Sequence, residues 1–223
     1  MIKKIVVFPL LINILYVVQA MSFHVTQQSK NIQEKVQALS ELDKTSIKVN
    51  SKELPSPYNY LLSQPLMTKG IEEYYQRTPY IQTIYSLKNP HNNTYYRAIM
   101  MLIDKNKSRN NVPLAQIKKE TRVVELAYIT MNFNELPQKI INDVLNTNVP
   151  FGKLLSNNHV TILTKNRSYF RVTCGEVLAS LTDCRLNSKL YGRTNTIIKA
   201  DNNQWLARVV EILPGFLNQT PID

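Results

Sequence analysis

Five segments from residue 95 onward alternate apolar and polar residues, and they constrain the fold more than any other feature. Each is rich in residues that favour β-strands, and they read YYRAIMMLID, RVVELAYITM, HVTILTKNRSYFRVT, LYGRTNTIIKA and WLARVVEILP. The residues DNNQ at 201–204 join the last two segments and are typical of a hairpin turn. The pattern therefore predicts an antiparallel sheet within residues 95–214.

Helical patterns precede and interrupt these predicted strands. Residues 57–76, PYNYLLSQPLMTKGIEEYYQ, favour short helices broken at Pro65. Residues 134–148 have apolar side chains at helical spacing, namely Leu136, Ile140, Ile141, Val144 and Leu145. Together the patterns predict a single α+β domain over residues 57–217, an antiparallel sheet with helices packed on one side. A polar lead-in over residues 21–56 precedes it.

Length and composition fit one globular domain and exclude several classes of function. The chain has 223 residues, of which 43% are hydrophobic and 19% are charged, enough for a real core. The net charge of +11 is spread along the chain without a dense basic cluster, so we expect no nucleic-acid partner. Three distant histidines and two cysteines predict no metal site, and the absence of glycine-rich phosphate motifs predicts no cofactor.

The N-terminus has the pattern of a secretory signal peptide. MIKK supplies positive charge, an apolar run follows, and VQA offers small residues at Val18 and Ala20 for a signal peptidase. We therefore expect residues 1–20 to be removed and the protein to be periplasmic or secreted. An uncleaved anchor is the alternative, although the run is short and contains Pro9 and Asn13. A cytoplasmic location follows if the segment is not a signal.

The two cysteines are close together in the segment CGEVLASLTDC. In an exported chain such a pair predicts one disulfide, Cys174–Cys184. In a cytosolic chain the same residues are two free buried thiols. The interpretation of the cysteines therefore depends on the signal peptide.

Three predicted strands each carry a charge within an apolar row, at Arg97, Glu125 and Glu211. Because side chains alternate between faces, each charge shares a face with apolar residues; these are Ile99, Met101 and Ile103 for Arg97, Val123, Ala127 and Ile129 for Glu125, and Val209 and Leu213 for Glu211. Such rows suit a pocket for an anionic, partly aromatic ligand. They equally suit an exposed sheet face, on which Glu211 pairs with a surface arginine such as Arg208 or Arg193.

Several motifs also resemble a known family. LLSQPLMTKGIEEYY, YYRAIMML, VPFGKLL, LYGR and WLARVVEILP occur in the order of similar segments in chorismate lyase, which converts chorismate into 4-hydroxybenzoate and pyruvate in bacterial ubiquinone biosynthesis. The resemblance covers about residues 58–216. It implies the chorismate lyase-like fold, no cofactor and a monomer. The effector-binding domains of some bacterial transcription regulators are more distant relatives.

The resemblance also implies roles for four residues. Arg97 matches the arginine that grips the ligand carboxylate, and Glu211 matches the glutamate that hydrogen-bonds the ring oxygen, which makes both the expected catalytic residues. Phe151 stands where a leucine backbone N–H binds the carboxylate, and Met67 matches a methionine near it. The implied ligand is a small anionic aromatic or pre-aromatic acid such as chorismate or 4-hydroxybenzoate.

Two features depart from the family pattern. The family enzyme is cytosolic, whereas this chain carries an export signal. Residues 104–121 replace a tight turn with a polar, basic stretch that is a lid, a contact for a partner or membrane, or a solvated insertion. Two functions therefore stay open, a lyase that makes 4-hydroxybenzoate and an exported, non-catalytic module that binds an aromatic acid or a protein.

Overall fold

Seven antiparallel strands form one sheet in a computed structural model, which describes residue 37 and residues 46–214. The strands are β1 (Ile47–Val49), β2 (Tyr80–Asn89), β3 (Thr94–Asp104), β4 (Thr121–Asn132), β5 (Ile162–Thr173), β6 (Lys189–Lys199) and β7 (Trp205–Leu213). The five predicted strands are β3 to β7, and the predicted antiparallel sheet is confirmed. The sequence patterns did not indicate β1 and β2, because β1 has three residues and β2 lacks a regular alternation.

The order of strands across the sheet is β1-β5-β6-β7-β4-β3-β2. β7 therefore lies in the middle, between β6 and β4, although it is last in sequence. Glu211 of β7 pairs with Ala127 on one side and with Arg193 on the other. The sheet order thus places Glu211 at the centre of the molecule, where a charge needs a partner.

Six α-helices accompany the sheet in the described part of the chain. They are α1 (Tyr58–Ser63), α2 (Met67–Tyr75), α3 (Val112–Ile117), α4 (Gln138–Asn146), α5 (Phe151–Asn157) and α6 (Glu176–Thr182). The predicted helices are α1, α2 and α4, with Pro65 between the first two. The sequence patterns did not indicate α3, α5 and α6, which have six or seven residues each.

The main hydrophobic core lies between one sheet face and the helices α1, α2, α4 and α5. Helical side chains such as Leu61, Ile71 and Ile140 contribute to it together with Met131 and Val209 of the sheet. The predicted single layer of helices is therefore present on this face. A smaller cluster lies on the opposite face, where α6 packs.

The opposite face also carries the disulfide. Cys174 and Cys184 are bonded, with their Cα atoms 6.3 Å apart. Both cysteines belong to the smaller cluster, as does Leu178 of α6. The bond closes the short segment that contains α6 and holds it near the end of β5.

The basic stretch after β3 is folded around a buried carboxylate. Asp104 has no exposed surface and accepts hydrogen bonds from the Arg109 Nε at 2.6 Å and from the backbone N–H groups of Asn106 and Asn111. Arg109 also bonds Glu120 at 2.6 Å, at the far end of the stretch. The insertion is therefore closed on itself, and α3 within it packs against the ends of β3 and β4.

The signal peptide predicted at residues 1–20 lies outside the described residues, as does most of the polar lead-in. The described end of that lead-in belongs to the domain, because β1 pairs with β5 and Leu54 is buried in the main core. In the described part of the chain, no helix has both the length and the hydropathy required of a membrane span.

Candidate ligand-binding site

A cavity lies between the centre of the sheet and the start of α2 and α5. It has a volume of about 400 Å³ when its open mouth is included. Its walls are largely apolar, with Ile99, Ile129 and Val209 from the sheet and Leu66, Met67 and Phe151 from the helical side. Arg193, Glu125 and Glu211 supply charged groups to the same space. Apolar walls with a few converging polar groups are typical of small-molecule sites.

Arg193 and Glu211 form a buried ion pair across neighbouring strands. The Nε atom of Arg193 donates to Oε2 of Glu211, and the two residues are 1% and 7% exposed. A pair taken this far out of water survives only if its other polar atoms are also bonded. The partner of Glu211 is therefore Arg193, and the pair lies in the interior rather than on an exposed sheet face.

The same arginine holds one wall of the cavity. Its Nη1 atom donates to the backbone carbonyl of Leu62 at 2.8 Å and to that of Gln64. Arg167 donates to the neighbouring carbonyl of Ser63 at 2.5 Å and to Gln64 at 3.2 Å. These carbonyls end α1, so two guanidinium groups satisfy them and fix the connection that leads into α2.

Glu125 is the third ionisable residue of the site, and its surroundings favour its protonated form. It is 2% exposed and shares a hydrogen bond with Glu211. Burial raises the pKa of the Glu125 carboxyl, the charge of Glu211 raises it further, and Arg193 opposes both effects. Its Oε2 atom has no hydrogen-bond partner within residues 46–214.

A β-bulge lies directly before Glu125 in β4. The pairing of β3 with β4 shifts from Met101–Glu125 to Leu102–Val123, so Val124 is an extra residue. As a result Val124 packs in the main core beside Glu125, while Val123 packs in the cluster on the opposite face. The sequence prediction that Val123 and Glu125 share a face is wrong, because the bulge interrupts the alternation.

Arg97 lies apart from the cavity. Its guanidinium donates to Thr83 Oγ1 at 2.7 and 2.9 Å, and to the carbonyls of Val144 at 3.1 Å and Thr147 at 3.4 Å. Burial lowers its pKa. These bonds cap the C-terminus of α4 and fasten that helix to the sheet.

The structure thus brings together three of the four residues named by the resemblance. Met67, Phe151 and Glu211 line one cavity, and Arg97 does not. The guanidinium of Arg97 is instead hydrogen-bonded to Thr83 and to the end of α4.

Two further residues were missed by the sequence interpretation. Arg193 was considered only as a surface partner of Glu211, and Asn195 was not considered. Asn195 is 3% exposed, and neither polar atom of its amide has a partner in the described region. It lies on β6 between Arg193 and Ile197, which both line the cavity. β6 is an inner strand, and both of its faces are covered. Its apolar residues therefore do not alternate with polar ones, so the sequence does not indicate which of its residues face the main core.

Within residues 46–214, no group of three or more histidine, cysteine, aspartate or glutamate side chains is arranged to hold a metal ion. Glu125 and Glu211 are two carboxyl groups with Arg193 beside them. The arrangement can exchange hydrogen bonds and a proton with a small molecule.

Comparisons with known proteins give structural similarities only. No protein-family model and no curated protein matches the sequence. The effector domain of PhnF from Mycobacterium smegmatis matches with a TM-score of 0.46 and 7% identity, over 68% of this chain and 92% of that domain. The longer PhnF chain matches with a TM-score of 0.47 and 7% identity, over 69% of this chain and 65% of PhnF.

A GntR-family transcriptional regulator from Enterococcus faecalis gives a third match. Its TM-score is 0.37 and its identity 8%, over 64% of this chain and 99% of the regulator. These similarities concern the fold, and they assign no ligand and no residue role to this chain.

Proposed function

We propose that this protein is a non-catalytic binding module for a small organic molecule, which it holds in the cavity between the sheet and α2. The observation that carries the proposal is the buried cluster of Arg193, Glu211 and Glu125 at one end of an otherwise apolar cavity. Burying three ionisable groups around a cavity costs free energy of folding, because each group loses its contact with water. We infer that the cluster is retained because its groups bind a ligand or fix a specific packing arrangement.

The shape of the cavity favours a flat molecule with polar ends. Ile99, Ile129 and Phe151 suit the faces of an aromatic ring, and the charged cluster suits a hydroxyl group. At the other side, α2 begins at Met67, its N-cap residue Leu66 offers no side-chain cap, and Met67 and Thr68 line the cavity there. The first turn of this helix attracts a carboxylate. A hydroxylated aromatic acid combines these features.

The balance of charge weighs against a chorismate lyase. Among the described residues that line the cavity, Arg193 is the cation, and Glu211 already neutralises it. Chorismate carries two carboxylates, and a site for it needs positive charge that is not already paired. Arg97, the cation that the resemblance assigns to the carboxylate, is engaged by Thr83 and α4.

The space open in the cavity is water-sized, so ligand entry requires one wall to move outward. Residues 65–68 form that wall, and Arg193 fastens the chain that leads into it. We propose that an aromatic ring displaces this segment. Hydrogen exchange at residues 65–68 should then change when ligand is added.

Calorimetric titration of the full chain with 4-hydroxybenzoate tests the proposal, and we expect saturable binding. Arg193→Lys should weaken it by about tenfold, because the single nitrogen of a lysine cannot reproduce the spread, planar donors with which the guanidinium reaches Glu211 and the two carbonyls. Arg97→Lys is the matched comparison, a second buried arginine with carbonyl partners. A loss confined to Arg97→Lys would place the ligand outside this cavity, and melting curves verify that both variants are folded.

The lyase alternative has its own assay. Incubation of the full chain with chorismate should release neither 4-hydroxybenzoate nor pyruvate above the uncatalysed rate. Turnover that disappears in Glu211→Gln would replace the binding module with the enzyme. Failure of 4-hydroxybenzoate to bind at all, without turnover, would overturn the proposed ligand class.

A further inference from the structure

Glu125 carries an acceptor atom that the protein leaves unused. Its Oε2 lies within a residue that is 2% exposed, and it has no hydrogen-bond partner in the described part of the chain. An unpaired buried acceptor destabilises the folded state, so such atoms are rare and call for an explanation. Since Glu125 lines the cavity, a molecule bound there is in reach of it.

The face on which this side chain lies is set by its strand. Glu125 alternates in β4 with Ala127, Ile129 and Met131, which are all buried in the main core. The bulge that precedes it places Val124 on the same face. Glu125 is therefore the one carboxyl group in an otherwise apolar row of β4, at the point where that row lines the cavity.

The surrounding groups decide what Glu125 offers a ligand. Glu211 on β7 and Arg193 on β6 are the ionisable groups that act on it, and they are already joined in an ion pair. Burial and the charge of Glu211 raise the pKa of Glu125 and so favour its protonated form, in which the proton serves the hydrogen bond to Glu211. Oε2 is then a carbonyl-type oxygen, which accepts a hydrogen bond and repels a carboxylate.

We infer that Glu125 is the specificity residue of the cavity, and that its Oε2 accepts a hydrogen bond from a hydroxyl or amide group of the ligand. The inference rests on the proposed binding function and adds which chemical group of the ligand is selected at the end of the cavity lined by Glu125, Glu211 and Arg193. That group is a neutral hydrogen-bond donor. The Nη2 atom of Arg193, which has no acceptor among the described residues, lies on the same guanidinium as the two bonded nitrogens and can donate to the same ligand oxygen.

Two probes of nearly equal size test the inference. 4-Hydroxybenzoate donates a hydrogen bond from its ring substituent, and 4-fluorobenzoate does not. The full chain should bind the hydroxy acid about tenfold more tightly, because the fluoro compound leaves Oε2 unpaired. Calorimetric titration of both probes gives the ratio of their dissociation constants.

Variants at position 125 link that ratio to Glu125. Glu125→Met removes the acceptor at similar size, so the ratio should fall to about one. Glu125→Gln retains a carbonyl oxygen for the ligand and an N–H for Glu211, so it should restore the preference for the hydroxy acid. Glu176→Met is the matched control, since Glu176 is an exposed glutamate on α6, which packs on the opposite face.

The outcomes separate this inference from the proposed function. Equal affinity of the unaltered chain for the two probes would overturn the inference and leave the binding module intact. A preference that persists in Glu125→Met would do the same. If neither probe binds the unaltered chain, the proposed function falls and the inference falls with it. The comparison of probes in the unaltered chain remains decisive even if Glu125→Met does not fold.

Discussion

The two buried arginines of the described region each have a specific set of partners. Arg97 is satisfied by Thr83 and the end of α4, and Arg193 by Glu211 and the end of α1. Glu125 differs, because burial raises its pKa and one of its oxygens has no partner in the described region. A buried carboxyl group of this kind affects both ligand binding and the stability of the fold.

The raised pKa of Glu125 predicts a pH-dependent stability. The folded chain holds a proton at Glu125 that the unfolded chain releases above about pH 4.3. Stability should therefore fall as pH rises from that value to the raised pKa, by up to about 1.4 kcal/mol per pH unit. Glu125→Gln removes this loss, so its melting temperature should exceed that of the unaltered chain at neutral pH, and the gap should narrow toward acid. Parallel melting curves across the range would contradict the protonated state.

At the scale of elements, the basic insertion and the α6 segment are each held by one strong local constraint. Asp104 organises residues 105–120 through Arg109, Asn106 and Asn111. The disulfide organises α6. The two constraints lie in different parts of the fold, so a substitution can remove one of them and leave the other in place.

Removing the Asp104 charge should loosen the insertion. Hydrogen bonds from Arg109 lower the pKa of Asp104, so its stabilising effect is present above the ordinary carboxyl pKa and is lost as pH falls through the lowered value. Asp104→Asn should lower the melting temperature and speed tryptic cleavage after Lys105 and Lys118 several-fold. Asp201→Asn is the control, an exposed aspartate paired with Lys199. Unchanged cleavage would mean that α3 holds the insertion without Asp104.

Removing the disulfide should cost stability through the unfolded state. The two cysteines are 10 residues apart, and closing a loop of that size stabilises a fold by roughly 3 kcal/mol. Urea unfolding of Cys174→Ala/Cys184→Ala should show that loss. The cavity lies on the other face of the sheet, so the affinity for 4-hydroxybenzoate should be retained. An unchanged urea midpoint would show that the bond contributes no stability.

At the scale of the whole molecule, the sequence predicts that the chain with the proposed interior binding site is exported. The export signal and the monomeric state remain predictions from the sequence. We expect residues 1–20 to be absent from the exported protein, because the positive start, apolar run and small residues at Val18 and Ala20 fit signal peptidase. Intact-mass measurement of exported protein decides this, and a mass that includes Met1 would contradict it.

The sequence by itself determined the elements that have a period. It indicated β3 to β7, the hairpin turn at 201–204, and helices α1, α2 and α4, because alternation and helical spacing are local properties of the chain. It also placed Val209, Glu211 and Leu213 in one row, and the structure confirms that this row faces the main core and the cavity.

Only the tertiary structure decided the partners of the charged residues. Arg193 reaches Glu211 because β6 and β7 pair, and it reaches the carbonyl of Leu62 across 131 residues of sequence. Arg97 meets the end of α4 instead of the cavity, and an unpredicted bulge moves Val123 to the face opposite Glu125. Desolvation and neighbouring charges set what each group does, and both depend on residues that are distant in sequence and adjacent in space.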